Sequence, residues 1–226
     1  VKTVKFSKPK YVGDPINAIK IFNDKEVDEL MILDISASKE NRGPNFELIN
    51  QGSSECFMPL CYGGGIKNSD QVKRLFEIGI EKVSLQTIAL NNFSIIEDIA
   101  SKFGNQSLVI SIDIKKNWLG KYELYSASKG KAVKTDWKQY LIDVVSAGAG
   151  EILLNSVDND GMMKGMDLNL IKQATELVNV PFIATGGVGC LNDIKFAKQN
   201  GASAIAVGSY FVFHGPHKAV LITYPE

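Results

Sequence analysis

Asp113 closes the apolar run LVISID and Asp34 closes LMILD, so each carboxylate stands where a buried strand ends. A carboxylate at such a place can act as a general acid or base, because desolvation and neighbouring charge tune its pKa. Asp158 and Asp160 follow in NSVDNDG, where helix capping, loop hydrogen bonding or an ordinary Asp-Gly turn competes with chemistry. Two glycine pairs also end strand-like runs: Gly64 and Gly65 in PLCYGGGI, Gly186 and Gly187 in PFIATGGVG. Bare backbone there lets N–H groups close on an anion and turn toward a helix N-terminus, whose dipole favours negative charge. Gly186 and Gly187 with Gly208 and Ser209 form one expected phosphate cradle. Gly64 and Gly65 with Gln86 and Thr87 form a second. A tight βα turn explains either glycine pair alone, but the duplicated set favours a ligand carrying a phosphate at each end. His214 and His217, in FHGPHKA, have no partner motif and read as solvated or capping residues.

These groups need a scaffold that gathers strand ends. Strand candidates run at 29–36, 57–63, 82–87, 108–114, 151–157, 180–185 and 204–209, with helical patterns such as 69–79 and 191–201 between them, each closed by glycine. Near-continuous apolar strands are buried on both faces, which implies a parallel sheet covered by helices. The two halves also match at a spacing of 122: Glu29 with Glu151, Pro59 with Pro181, Gly64 with Gly186, Gly79 with Gly201. No gap is needed from residue 29 to residue 87. The pattern predicts an α/β fold, a (βα)₈ TIM barrel of two duplicated half-barrels forming a single domain over 1–226; a doubly wound open sheet is the alternative. Only seven strands are convincing. The first is missing, since VKTVKF is too short for a strand–helix unit, and an open edge is expected. In such a barrel the glycines and aspartates occupy the catalytic rim. Glu29, Lys82 and Glu151 lie at strand starts on the opposite face, where an ion-pair ring ordinarily stabilises the fold.

Composition narrows the class. A chain of 226 residues, 45% hydrophobic, can bury a large core. Its 25 basic and 25 acidic residues balance, with no basic stripe, so neither nucleic acid nor a membrane surface is expected as a partner. Cys56, Cys61 and Cys190 lack metal-ligand spacing and read as reduced thiols of a cytoplasmic protein.

Taken together, LMILDISAS, YGGGI, LVISIDIK, AGAGEILLNSVDNDG and ATGGVG resemble the cyclase subunit of imidazole glycerol phosphate synthase, over about residues 1–213. The resemblance implies a barrel that combines a bis-phosphorylated aminoimidazole carboxamide ribotide with ammonia from a glutaminase docked on the N-terminal face. It needs no cofactor or metal. It gives Asp113 the catalytic carboxylate, Gly64, Gly65 and Thr87 one phosphate site, and Gly186, Gly187, Gly208 and Ser209 the other. It adds Ser156 and Asp160 to the substrate site, and makes Glu29, Lys82 and Glu151 a charged gate for ammonia. Some positions depart from the family pattern. A first strand carrying a second catalytic aspartate should precede VKTVKF, and with Val at residue 1 the chain is expected to begin inside a longer polypeptide. Gln86 stands for the usual Asn, Asn155 for Thr, Met162 for a hydroxyl residue, and a short tail, GPHKAVLITYPE, for the last helix. CYGGGI, LLNSVDNDG and that tail resemble a paralogous branch, which serves with a glutaminase and a sugar amidotransferase in surface-polysaccharide synthesis.

Overall fold

The computed structural model describes residues 1–215 and 217–223. Seven parallel strands form one curled sheet: β1 (Leu30–Leu33), β2 (Leu60–Gly63), β3 (Lys82–Leu85), β4 (Leu108–Lys116), β5 (Glu151–Ser156), β6 (Phe182–Thr185) and β7 (Ala204–Ala206). They pair in chain order, β1 to β7. Helices cover the outside: α1 (Pro15–Asp24), α2 (Phe46–Ser53), α3 (Ser69–Glu77), α4 (Ser94–Phe103), α5 (Trp137–Ser146), α6 (Leu168–Thr175), α7 (Leu191–Gln199) and the single turn α8 (Ser209–Val212). This is the α/β architecture of a (βα)₈ barrel. Among the described residues β1 and β7 pair on one side only, so the sheet has the expected open edge, and Leu33 and Ile35 are exposed beside it.

The repeat is visible in the helices. Helix α2 begins at 46 and α6 at 168; they end at 53 and 175, so both bounds differ by 122. Helices α3 and α7 obey the same offset, 69 to 191 and 77 to 199. Their capping residues, Asn68 and Cys190, share nearly one backbone conformation (φ −157° and −156°). Caps explain where helices start: the Asn45, Asn68, Asp136 and Asp167 side chains each accept a backbone N–H of the first turn.

Helix-facing residues of the strands, Leu60, Tyr62, Leu108, Ile110, Ile112, Ile152 and Leu154, pack with Leu75, Ile96, Ile99 and Leu141 in the main core. The alternate residues point inward. Cys61, Val109, Leu153 and Ile183, with Met31 and Ala206 against them, form a small apolar layer inside the sheet.

Two features lie outside the strand–helix pattern. Strand β4 runs on into an antiparallel partner at Tyr122–Ser126, which sets Tyr125 opposite Asp113. VKTVKF supplies one arm of a hairpin, Lys2–Val4 against Ser7–Lys10, rather than a barrel strand. The C-terminal tail forms a short antiparallel pair, Phe213–His214 with Ala219–Val220; its Pro216 and residues 224–226 lie outside the described residues.

The packing predicts where stability resides. Ile110→Ala, at a fully buried position, should cost about 2–5 kcal/mol in urea unfolding. Phe57→Ala, at a residue 89% exposed, should change stability by less than about 0.5 kcal/mol. Equal losses would contradict this division.

Candidate functional site

The carboxyl ends of the strands open on a chamber of about 1300 Å³ that fills the curled sheet and continues through its open edge to Ile19 and Phe22 of α1 and Ile194 of α7. Gly64, Gly65, Gln86, Thr87, Asp113, Asn155, Asp160, Gly186, Gly187, Gly208 and Ser209 all line it. Parallel register sets their height: Asp113 is level with Asn155, Asn155 with Thr185, and Thr185 with Ala206.

Asp113 is 5% exposed. Burial disfavours its ionised form and, with the negative charge of Asp160, raises its pKa to about 7; hydrogen bonds from Asn155 and Gln86 hold it from going higher. Gln86 Nε2 donates to Asp113 Oδ2 at 2.9 Å and reaches the Tyr125 carbonyl at 3.3 Å, while Gln86 Oε1 accepts from Thr87 Oγ1 at 3.0 Å. The result is a carboxyl group that can give or take a proton near neutrality.

The glycine pairs flank this group. Gly64 (φ 122°) and Gly186 (φ 97°) hold a backbone region that side chains disfavour, and the neighbouring chain comes close. A Cβ on Gly64 would lie 2.5 Å from the Asp34 carbonyl oxygen, and one on Gly186 2.7 Å from that of Ser156. Gly65 and Gly187 follow, also at positive φ. Asp193 accepts Gly189 N–H and Cys190 N–H just ahead of α7, so these two donors are already engaged. That leaves the glycine turns and the Gly208–Ser209 corner to face the chamber.

Lys2 was not singled out by sequence reasoning. Its amine reaches the Gly208 corner so closely that a Cβ there would collide with it. Burial lowers its pKa, partly offset by attraction to Asp160. Asp160 is raised, first by its own burial, against the pull of a Thr3 hydrogen bond (3.0 Å) and of Lys2. Lys5 N–H donates to the Asp160 carbonyl at 3.0 Å, so the N-terminal hairpin is tied down over this rim. A cation held out of water beside a glycine corner is suited to an anion. The signal available beforehand was a lysine just ahead of a short amphipathic run, too weak alone.

Other residues are committed locally. Ser156 faces away from the chamber, because Asn155 takes the inward position, and its hydroxyl donates to Asn159 Oδ1 at 3.1 Å. Asp34 accepts Ser36 and Ala37 N–H, and Asp158 accepts Lys116 N–H at 2.7 Å, so both organise loops. His214 Nε2 pairs with Thr223 Oγ1 at 2.7 Å, and His217 is exposed.

At the opposite end, Lys82 Nζ lies 3.0 Å from Glu29 Oε2 and 2.9 Å from Glu151 Oε1. Burial would lower the Lys82 pKa, but its hydrogen bonds to Glu151 and Glu29 outweigh that and raise it. The apolar layer of Cys61, Val109, Leu153 and Ile183 lies between this charged floor and Asp113, while Glu29 also borders the chamber at the open edge.

A family model described as "Histidine biosynthesis protein" matches residues 1–217. A Pseudomonas aeruginosa protein named "Putative imidazole glycerol phosphate synthase subunit hisF2" is 52% identical, covering all of this chain and 90% of its own length. A Vibrio vulnificus relative of the same description, hisF3, is 48% identical over all of this chain and 88% of its own. The "Imidazole glycerol phosphate synthase subunit HisF" of Dictyoglomus thermophilum is 41% identical over 94% of this chain and 84% of its own.

Carboxyl-carbon NMR should find Asp113 titrating near 7. Replacing the like charge by Asp160→Asn should lower that midpoint by about one pH unit. A midpoint in the ordinary carboxylate range would overturn the account of its burial.

Proposed function

The chain belongs to the histidine biosynthesis protein family, and from that premise we propose that it is an ammonia-using cyclase subunit of imidazole glycerol phosphate synthase. Its substrate is a bis-phosphorylated aminoimidazole carboxamide ribotide; its products are imidazole glycerol phosphate and an aminoimidazole carboxamide ribotide. One observation carries the reading: a buried carboxyl with a near-neutral pKa stands between two glycine corners in one chamber. Gly64, Gly65 and Thr87 hold one phosphate. Gly186, Gly187, Gly208 and Ser209, helped by the Lys2 amine, hold the other. Asp113 transfers protons while ammonia adds to the ligand clamped between them, and Asp160 orients the loop above.

A glutaminase docked on the N-terminal face supplies the ammonia. Glu29, Lys82 and Glu151 form its gate, an ion-paired cluster at the entrance, and the apolar layer above it disfavours charged ammonium and lets neutral ammonia pass.

A second reading has support in the chamber itself. Gln86 and Asn155 put two carboxamides around Asp113, and the relatives at 52% and 48% identity carry the paralogue names hisF2 and hisF3. In that reading the barrel conducts ammonia to a sugar amidotransferase of surface-polysaccharide synthesis and does little cyclase chemistry.

The test is turnover of the ribotide precursor with ammonium salt and no glutaminase. The proposal expects turnover that falls by about 10²–10⁴-fold in Asp113→Asn. Lys2→Met should raise KM about tenfold or more, the loss of one charge-assisted contact. Absent turnover, with sugar amidation stimulated when the protein joins its glutaminase, would select the second reading.

A further inference from the structure

Asp113 is bracketed by two carboxamides that are not held alike. Gln86 has every polar atom engaged: Nε2 serves Asp113 Oδ2 and the Tyr125 carbonyl, and Oε1 accepts the Thr87 hydroxyl. It cannot turn over without breaking all three contacts. Asn155 is different. It stands level with Asp113 on the neighbouring strand and lowers the Asp113 pKa as a donor, yet among the described residues its buried Oδ1 has no partner and rests against the bare backbone of Gly186, 2.9 Å from where a Cβ would be. A lost hydrogen bond of this kind is costly, and a native structure tolerates it where the group has a second use.

The second use follows from donor and acceptor counting. An ionised Asp113 accepts only, so both carboxamides must present N–H to it. A protonated Asp113 carries one O–H that needs an acceptor, and Gln86 has none to offer. Asn155 Oδ1 is the free acceptor in the group. We propose that Asn155 is a positioning residue that turns its carboxamide over as Asp113 gains or loses a proton, giving N–H to the carboxylate and Oδ1 to the carboxylic acid. Gln86 stays fixed and keeps the carboxyl plane in place throughout. The proton comes from solvent or from the ligand, and no bond other than the O–H is made or broken. The turn gives Asp113 a satisfied hydrogen-bond set in both of the states a proton-transferring group must visit. This deepens the assignment of Asp113 as the group that transfers protons in the proposed reaction.

The charged and titratable groups facing this carboxyl are few. Asp160 acts on it from the loop after β5, with Lys2 of the N-terminal hairpin beside that aspartate. Tyr140 of α5 feels the Asp113 charge, and Tyr125 lies across the strand pair with Lys115 over its ring. Glu151 and Lys82 pair with each other beneath the apolar layer. Asp113 and Asp160 interact, so the titration seen belongs to both.

Side-chain amide NMR on the whole protein, without substrate, reads the turn directly. Below the Asp113 midpoint the Asn155 side-chain N–H protons should show contacts to the Gly186 α-protons; above it these contacts should vanish. Both Asn155 amide resonances should shift with that midpoint, whereas those of Gln86 keep their contacts to Tyr125 and Thr87 at every pH. In Asp113→Asn the Asn155 contacts to Gly186 should persist at all pH values, because the neutral side chain no longer requires two donors. Gln86→Leu should raise the midpoint by about one pH unit and leave the turn intact. Asn155 contacts that stay the same through the titration would overturn the proposal. Because no turnover is measured, that result would leave the cyclase reading standing, just as an inactive protein with a turning Asn155 would sink the cyclase reading alone.

Discussion

The structure depends on the alternation of side chains along parallel strands that share one interior. On β5 that alternation places Glu151, Leu153 and Asn155 one above another, spanning about 13 Å at roughly 3.3 Å per residue. Lys82, which opens β3, and Gln86, the residue just after it, stand in the same relation. Parallel register then levels Asp113 with Asn155 and Thr185. A charged floor, an apolar middle and a polar rim follow from parity and register alone. A slip of one residue on β5 would put Asn155 among the helices and Ser156 in the chamber.

Burial then decides the chemistry of what parity has placed. Asp113 and Asp160 are both raised by desolvation, and Asp113 further by its like-charged neighbour. The floor behaves oppositely: two carboxylates on one ammonium overcome the burial penalty and keep Lys82 charged. Within one interior, the rim raises the pKa values of its acids and the floor holds a fixed charge. On the floor two carboxylates outweigh the burial of one ammonium, whereas on the rim burial outweighs the pull of Lys2 on Asp160.

Most of the frame was legible in the residues, because it rests on patterns that local physics enforces. Apolar runs marked all seven strands, and the 122-residue offset reappears in helix bounds and in the Asn68 and Cys190 caps. The glycine pairs stood out because nothing else fits where the backbone of a neighbouring loop comes so near. What escaped notice was set by distant contacts. Lys2 matters through Gly208 and Asp160, more than 150 residues away in sequence. The strand at Tyr122–Ser126 is not among the expected strands, although YELYS alternates, because its partner is the extension of β4. Counting by twos from Glu151 brings Asn155 to the chamber and turns the Ser156 hydroxyl toward Asn159.

The central claim is that one chamber holds two anion corners across Asp113. Calorimetric stoichiometry tests it most directly. Inorganic phosphate should fill two sites per chain, the bis-phosphorylated ribotide should bind once and displace both, and Gly64→Ala and Gly186→Ala should each remove one phosphate site. A ribotide that binds without displacing phosphate, or a single phosphate site insensitive to either glycine, would contradict the account.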